Sequence, residues 1–289
     1  MELIEAAKRG DVAKVTRLLD RGINVDTTDE NQSTALHWAC QENHTDVIQL
    51  LLSRGADATR INRWNCTTLH YICRHNNPEI ISVLLEKGVD INAKTNAGMT
   101  ALHWSCGESQ FESVKLLLER GADVNAVNSL GRTPIYYNCF PRDTHLLKLL
   151  LEYGADVNVA DITGWTPLHQ CGILFHYDGM KIVLNCGADI NAADRDGSTL
   201  LHDSCYRKNH DMTRFLIENR ADFNVRNNEG KLPFDYLEPE QRQEMEDYVR
   251  ELEQQREQER FYAMVVLEHQ RRPYFAVEDI GSIVTAFLR

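Results

Sequence analysis

Thr100-Ala101-Leu102-His103 opens a stretch that runs through Ser113-Val114-Lys115-Leu116-Leu117-Leu118 to Gly121-Ala122-Asp123-Val124-Asn125 and ends at Gly131. The same theme returns along the chain. Thr34-Ala35-Leu36-His37, Thr67-Thr68-Leu69-His70 and Thr166-Pro167-Leu168-His169 keep the tetrapeptide, and Thr133 and Thr199 keep its first residue, all in steps of 33 residues. Complete units can be cut at 33–65, 66–98, 99–131, 132–164, 165–197 and 198–230, with no insertion disturbing the phase. A fixed period of this length marks a tandem array whose units bury their apolar faces on one another instead of in one central core. Such an array presents a long surface and no deep pocket, so its expected work is to hold another macromolecule.

Each unit has a local logic. The Thr can accept a hydrogen bond from free amides at a helix start, and Pro134 and Pro167 stand at the first helical position, where a missing N–H costs nothing. A second amphipathic helix follows, as in Thr45-Asp46-Val47-Ile48-Gln49-Leu50-Leu51-Leu52, and stops at Gly55, Gly88, Gly121, Gly154 or Gly187. An extended segment and a glycine turn then lead to the next Thr, which predicts a projecting hairpin-like finger.

Turn, Thr-Pro-Leu-His, helix, Leu-Leu-Leu and Gly-Ala-Asp-Val-Asn together resemble the ankyrin-repeat family over about residues 1 to 254. The resemblance implies an all-α repeat solenoid of helix pairs with fingers, in which the Thr and His of each tetrapeptide tie the helix start to adjacent backbone. It divides the chain into an N-terminal capping repeat at 1–32, six full repeats over 33–230, a C-terminal capping repeat at 231–254 and a helical extension at 255–289. Asn92, Asn125, Asn158, Asn191 and Asn224 match loop asparagines that hydroxylases modify in this family; a loop hydrogen bond is the favoured reading. Departures mark expected soft spots: Tyr136 in place of His, Arg220 in place of the helix-ending Gly, and Gly172 and Gly179 within helices of unit 165–197. That unit is expected to exchange its amides faster than unit 99–131.

The net charge of -12 argues against a general nucleic-acid or anionic-membrane binder, since phosphate attraction needs surplus Lys and Arg. The first residues lack a secretory pattern and no apolar run reaches membrane-spanning length, so the expected setting is intracellular, cytoplasmic or nuclear. Cys40, Cys73, Cys106, Cys139 and Cys205 share one repeat position amid apolar residues, which reads as core packing in a reducing compartment. His37 with Cys40, His70 with Cys73 and His103 with Cys106 suggest chelation at first sight. Equivalent positions in neighbouring repeats stand about 8–10 Å apart, too far for one zinc ion. No catalytic motif emerges, so neither enzyme activity nor a cofactor is expected.

The informative positions are those stacking does not require, at the finger tips and the exposed ends of first helices: Arg63, Trp64, Arg74 and His75, then Leu130, Arg132 and Phe140, then Ile162, Trp165, Ile173 and Leu174, and finally Arg195, Tyr206 and Arg207. Large apolar and Arg side chains anchor interfaces, and the resemblance implies that a partner is gripped here. The Arg content opposes the sign of the whole chain and predicts a protein partner with acidic groups around an apolar centre. Trp38 and Trp104 read as packing residues. Beyond Glu240 the chain reads as helical, with Met245, Tyr248, Val249 and Leu252 on one face and Pro273 ending or kinking it. Val277, Ile280, Ile283, Val284, Phe287 and Leu288 then make an apolar tail that must dock, on its own domain or on another protein. The leading expectation is an interaction module, a scaffold or regulator. The alternative is a substrate-recognition adaptor of a modifying complex such as a ubiquitin ligase, with the tail recruiting the machinery. Oligomeric state has no sequence signal.

Overall fold

The Thr and His of each tetrapeptide meet at a helix start. A computed structural model describes residues 1–139 and 144–271, in two units, Met1–Arg195 and Asp196–Arg289. Pro273 and the apolar tail lie outside the described residues.

In the first unit the helices come in pairs: α1 (Glu2–Lys8) with α2 (Val12–Asp20), α3 (Ala35–Gln41) with α4 (Thr45–Ser53), α5 (Thr68–Ile72) with α6 (Pro78–Glu86), and α7 (Ala101–Gly107) with α8 (Phe111–Glu119). A short 3₁₀ helix (Pro134–Asn138) precedes α9 (Thr144–Glu152), and α10 (Pro167–Ile173) pairs with α11 (Tyr177–Asn185). First helices pack on first helices and second on second, with Leu36, Leu69, Leu102, Ile135 and Leu168 buried between them. The described residues contain no sheet; an isolated bridge, Thr28 with Thr34, sits in the first finger.

The caps explain why short segments form helices at all. Thr34, Thr67 and Thr100 place Oγ1 2.9, 2.9 and 2.8 Å from Nδ1 of His37, His70 and His103. The same Nδ1 atoms lie 3.2, 3.1 and 3.1 Å from the threonine amides. An amide only donates, so Nδ1 accepts and the ring carries its proton on Nε2. Nε2 then donates to the next repeat, to the carbonyls of Cys66, Met99 and Arg132 at 3.2, 3.1 and 3.0 Å. One neutral ring thus caps its own helix and ties it to its neighbour. Both nitrogens are engaged, which gives the His-Cys spacing its structural reason. Burial drives each of the three histidines down to a pKa of about 4. The shared-position cysteines are buried too, and burial pushes the Cys73 thiol up to about 12.

Tyr136 breaks this pattern. With no Nδ1 to meet it, the buried Thr133 hydroxyl has no hydrogen-bond partner among the described residues, and the segment winds as a 3₁₀ helix. Removing an unpaired buried hydroxyl stabilises, whereas removing a paired one destabilises. Thr133→Val is therefore expected to stabilise the array by about 1 kcal/mol, and Thr100→Val to destabilise it by about the same amount. Urea midpoints of the two variants that moved in the same direction would contradict this account.

Gly179 makes room for a buried ring. A Cβ there would stand 2.4 Å from Nδ1 of the buried His176, and that nitrogen donates to the Cys139 carbonyl at 3.2 Å. Among the loop asparagines, the side chains of Asn92, Asn125 and Asn158 make loop hydrogen bonds. Asn125 accepts from the Asp156 amide at 2.8 Å and donates to the Gly154 carbonyl at 3.0 Å, and Asn158 repeats the pattern with Asp189 and Gly187.

In the second unit, α12 (Leu200–Tyr206) pairs with α13 (His210–Glu218), and a 3₁₀ turn (Pro233–Tyr236) leads into α14 (Pro239–Arg271). Thr199 and His202 form the same cap. At the degraded copy the Asp235 carboxylate takes over the histidine's part, accepting from the Leu232 amide at 2.8 Å. Met245 and Val249 are buried on α14, which packs on α13, and the Arg256 guanidinium donates to the Ile217 and Glu218 carbonyls at the end of that helix. Arg220 holds the left-handed conformation expected of it, with φ of 70°.

Candidate interaction surface

Each finger of the first unit is a turn folded around one short polar side chain. Asn62 Oδ1 accepts from the amides of Trp64 and Cys66, both at 3.1 Å. Asn128 accepts from Leu130 and Arg132 at 2.9 and 3.0 Å, and Asp161 from Thr163 and Trp165 at 2.8 and 3.1 Å. These side chains replace the backbone partners that a two-residue turn leaves unmet. Their outer atoms reach the first helix behind them: Asn62 and Asn128 donate to the Tyr71 and Tyr137 hydroxyls at 2.8 Å, and the Trp38 indole donates to Asp29 at 2.8 Å. Trp38 therefore braces a finger as well as packing.

The tips are also joined to one another. Arg63 N–H donates to the Asn31 carbonyl at 2.9 Å, Asn96 to Trp64 at 2.9 Å, Ser129 to Ala97 at 3.0 Å, Ile162 to Leu130 at 2.8 Å and Arg195 to Thr163 at 2.9 Å. This backbone ladder puts Arg63, Trp64, Leu130, Ile162 and Arg195 in one row. Trp64, Leu130 and Ile162 are 45%, 41% and 46% exposed on it.

Other candidates have mixed settings. Arg132 is in the row, but its Nε lies 3.0 Å from Asp161, whose side chain is only 1% exposed, and its guanidinium covers the Tyr136 ring at 4.5 Å. The ion pair and hydrogen bonds hold the Asp161 carboxyl below its usual value against the opposing effect of burial. Trp165 is half-buried and stacks on His169. Arg74 pairs with Glu108 at 3.2 Å and lies near the Trp104 ring, while His75 donates to the Gln41 carbonyl at 2.8 Å. Ile173 and Leu174 are half-buried at the end of α10. Phe140 lies outside the described residues. In the second unit Tyr206 is exposed, edge-on to Tyr236, and Arg207 pairs with Asp203 at 2.8 Å. Ile61 and Val127, exposed at one finger register, escape a reading confined to the tips; their signal is the 66-residue step between two apolar residues flanking Asn62 and Asn128.

Models of ankyrin repeats match residues 3–62, 55–128 and 123–194 in one form and 183–237 in another. The chain belongs to the ankyrin-repeat family. Ankyrin repeats are protein-interaction modules. Among curated relatives, bovine (Bos taurus) osteoclast-stimulating factor 1 is 43% identical over 49 residues, 17% of this chain and 23% of that protein. Human (Homo sapiens) ankyrin repeat domain-containing protein 40 is 46% identical over 50 residues, 17% of this chain and 14% of that protein. The chain thus spans less than a quarter of the length of these relatives. No helix among the described residues is long and apolar enough to cross a membrane.

Proposed function

We propose that the finger row of the first unit is a protein-docking strip and that the chain acts as a scaffold or regulator by holding a protein partner there, one that offers acidic groups around an apolar centre. One observation carries this reading: a ladder of backbone hydrogen bonds holds exposed Trp64, Leu130 and Ile162 in line. Preorganised tips lose little conformational entropy on binding, so apolar contact made there is retained as affinity. Arg63 adds an exposed cation in the same row, where it favours carboxylates and speeds encounter.

The test compares the intact chain with one carrying Trp64→Ala, Leu130→Ala and Ile162→Ala together, by affinity capture and mass spectrometry. Partners captured by the intact chain should be lost, with the melting temperature moved by less than about 2 °C, because exposed truncations cost little. Arg132 is spared, since its removal would strand the buried Asp161 carboxylate. Undiminished capture by the triple variant would reject the strip.

A further inference from the structure

The fingers differ in charge in an ordered way. Finger one, residues 26–33, carries Asp26, Asp29 and Glu30. Finger two, residues 59–66, carries Arg60 and Arg63, and finger three, residues 92–99, carries Lys94; neither holds a carboxylate. Fingers four and five, residues 125–132 and 158–165, hold Arg132 and Asp161, which cancel each other as an ion pair at 3.0 Å.

Within fingers two and three the cations are largely uncompensated. The Arg63 guanidinium donates to the neutral Asn31 side chain at 2.9 Å and sits 5.9 Å from the Trp64 ring centre. Lys94 donates to the Val127 carbonyl at 3.1 Å. Arg60 is 4.0 Å from Asp57 in an exposed pair, which compensates it weakly. Exposed apolar side chains lie on both stretches, Ile61 and Trp64 beside the cations of finger two and Val127, Leu130 and Ile162 on fingers four and five, where no uncompensated charge accompanies them.

We propose that the strip is segregated along its length, fingers two and three taking the acidic residues of an extended protein segment and fingers four and five taking its apolar anchor. This rests on the docking reading above and replaces acidic groups around an apolar centre with acidic groups to one side of it. The three carboxylates of finger one bound the cationic stretch, so acidic residues placed further along meet repulsion. A row one tip wide suits an extended chain, whose alternate side chains face one way. Adjacent repeats are about 8–10 Å apart, and an extended chain advances about 3.3 Å per residue. With one to three repeats between them, the acidic residues and the apolar anchor then stand about three to nine residues apart.

A random 16-residue peptide library displayed on phage, selected on the full chain, tests this. Enriched peptides should carry two or more Asp or Glu offset by about three to nine residues from Leu, Ile, Phe or Trp. The best of them, made synthetically, should bind Arg63→Glu/Lys94→Glu at least about tenfold more weakly by fluorescence anisotropy, and Leu130→Asp/Ile162→Asp likewise, with unchanged thermal melts. Its binding to the intact chain should weaken as salt is raised, because exposed charges are screened. A selection that enriches no peptide, enriched peptides without acidic residues, or charge reversal that changes affinity less than twofold overturns the proposal. If charge reversal is silent while Trp64→Ala/Leu130→Ala/Ile162→Ala abolishes binding, the docking strip stands and the segregation falls. If both are silent, the docking reading falls with it.

Discussion

Lowering the pH from 7.5 to 5 is expected to drop the melting temperature of the first unit by about 10 °C or more. His37, His70 and His103 are held neutral, with burial bringing each to a pKa of about 4, against about 6.5 in an unfolded chain. The unfolded chain therefore takes up protons first as acid is added. Stability is complete above pH 6.5 and is lost as the pH falls through 6.5 towards 4. At pH 5 each histidine contributes a loss on the order of 2 kcal/mol. The structural reason is specific: a proton on Nδ1 would face the threonine amide that now donates to it. Carboxylates titrate lower and add their own effect, so the control is His70→Gln. This variant should melt lower at pH 7.5, yet show a pH dependence shallower by about a third. Ring carbon shifts titrating near pH 6.5 by NMR, or a variant curve parallel to the parent, would disprove the account.

Gly164→Ala should be among the most damaging single-methyl changes in the chain. Its φ is 86°, and a Cβ would lie 2.7 Å from the Asp194 Cα and 2.9 Å from the Arg195 amide nitrogen. The left-handed conformation costs a side chain about 1 kcal/mol, and forced backbone displacement adds about 1–3 kcal/mol. Gly187 separates the two contributions, because it has a φ of 89° but open space where its Cβ would be. Gly187→Ala should cost about 1 kcal/mol and Gly164→Ala about 2–4 kcal/mol by urea unfolding. Equal losses would mean that Gly164 and the backbone at Asp194 and Arg195 do not approach as closely as indicated.

The helix pairs and their caps were legible because their causes are local. Thr100 reads as a cap from its place before an apolar helix, and the part His103 plays beside it followed from the family resemblance. Tyr136 announced a broken cap, although the change to a 3₁₀ helix needed the buried Thr133 hydroxyl to be seen without a partner. The reason for glycine at position 179 was not legible, because the ring it accommodates, His176, becomes relevant only once that ring is folded over it. At the site, Trp64, Leu130 and Ile162 could be read as tip residues from phase. The neutralisation of Arg132 by Asp161 could not, since the two are 29 residues apart and meet only when fingers stack. Ile61 and Val127 were missed because an apolar residue in a loop usually turns inward, and these do not.

The tip-to-tip bonds run in one direction and join equivalent atoms of successive copies, so the distance between contact points comes in whole increments. Gaining or losing one copy by duplication or deletion lengthens or shortens the row by a single rung and leaves every remaining rung intact. A shorter insertion would break the rung in which it falls. The first unit thereby has a fixed backbone step on which side-chain character, charged or greasy, can be rewritten one finger at a time.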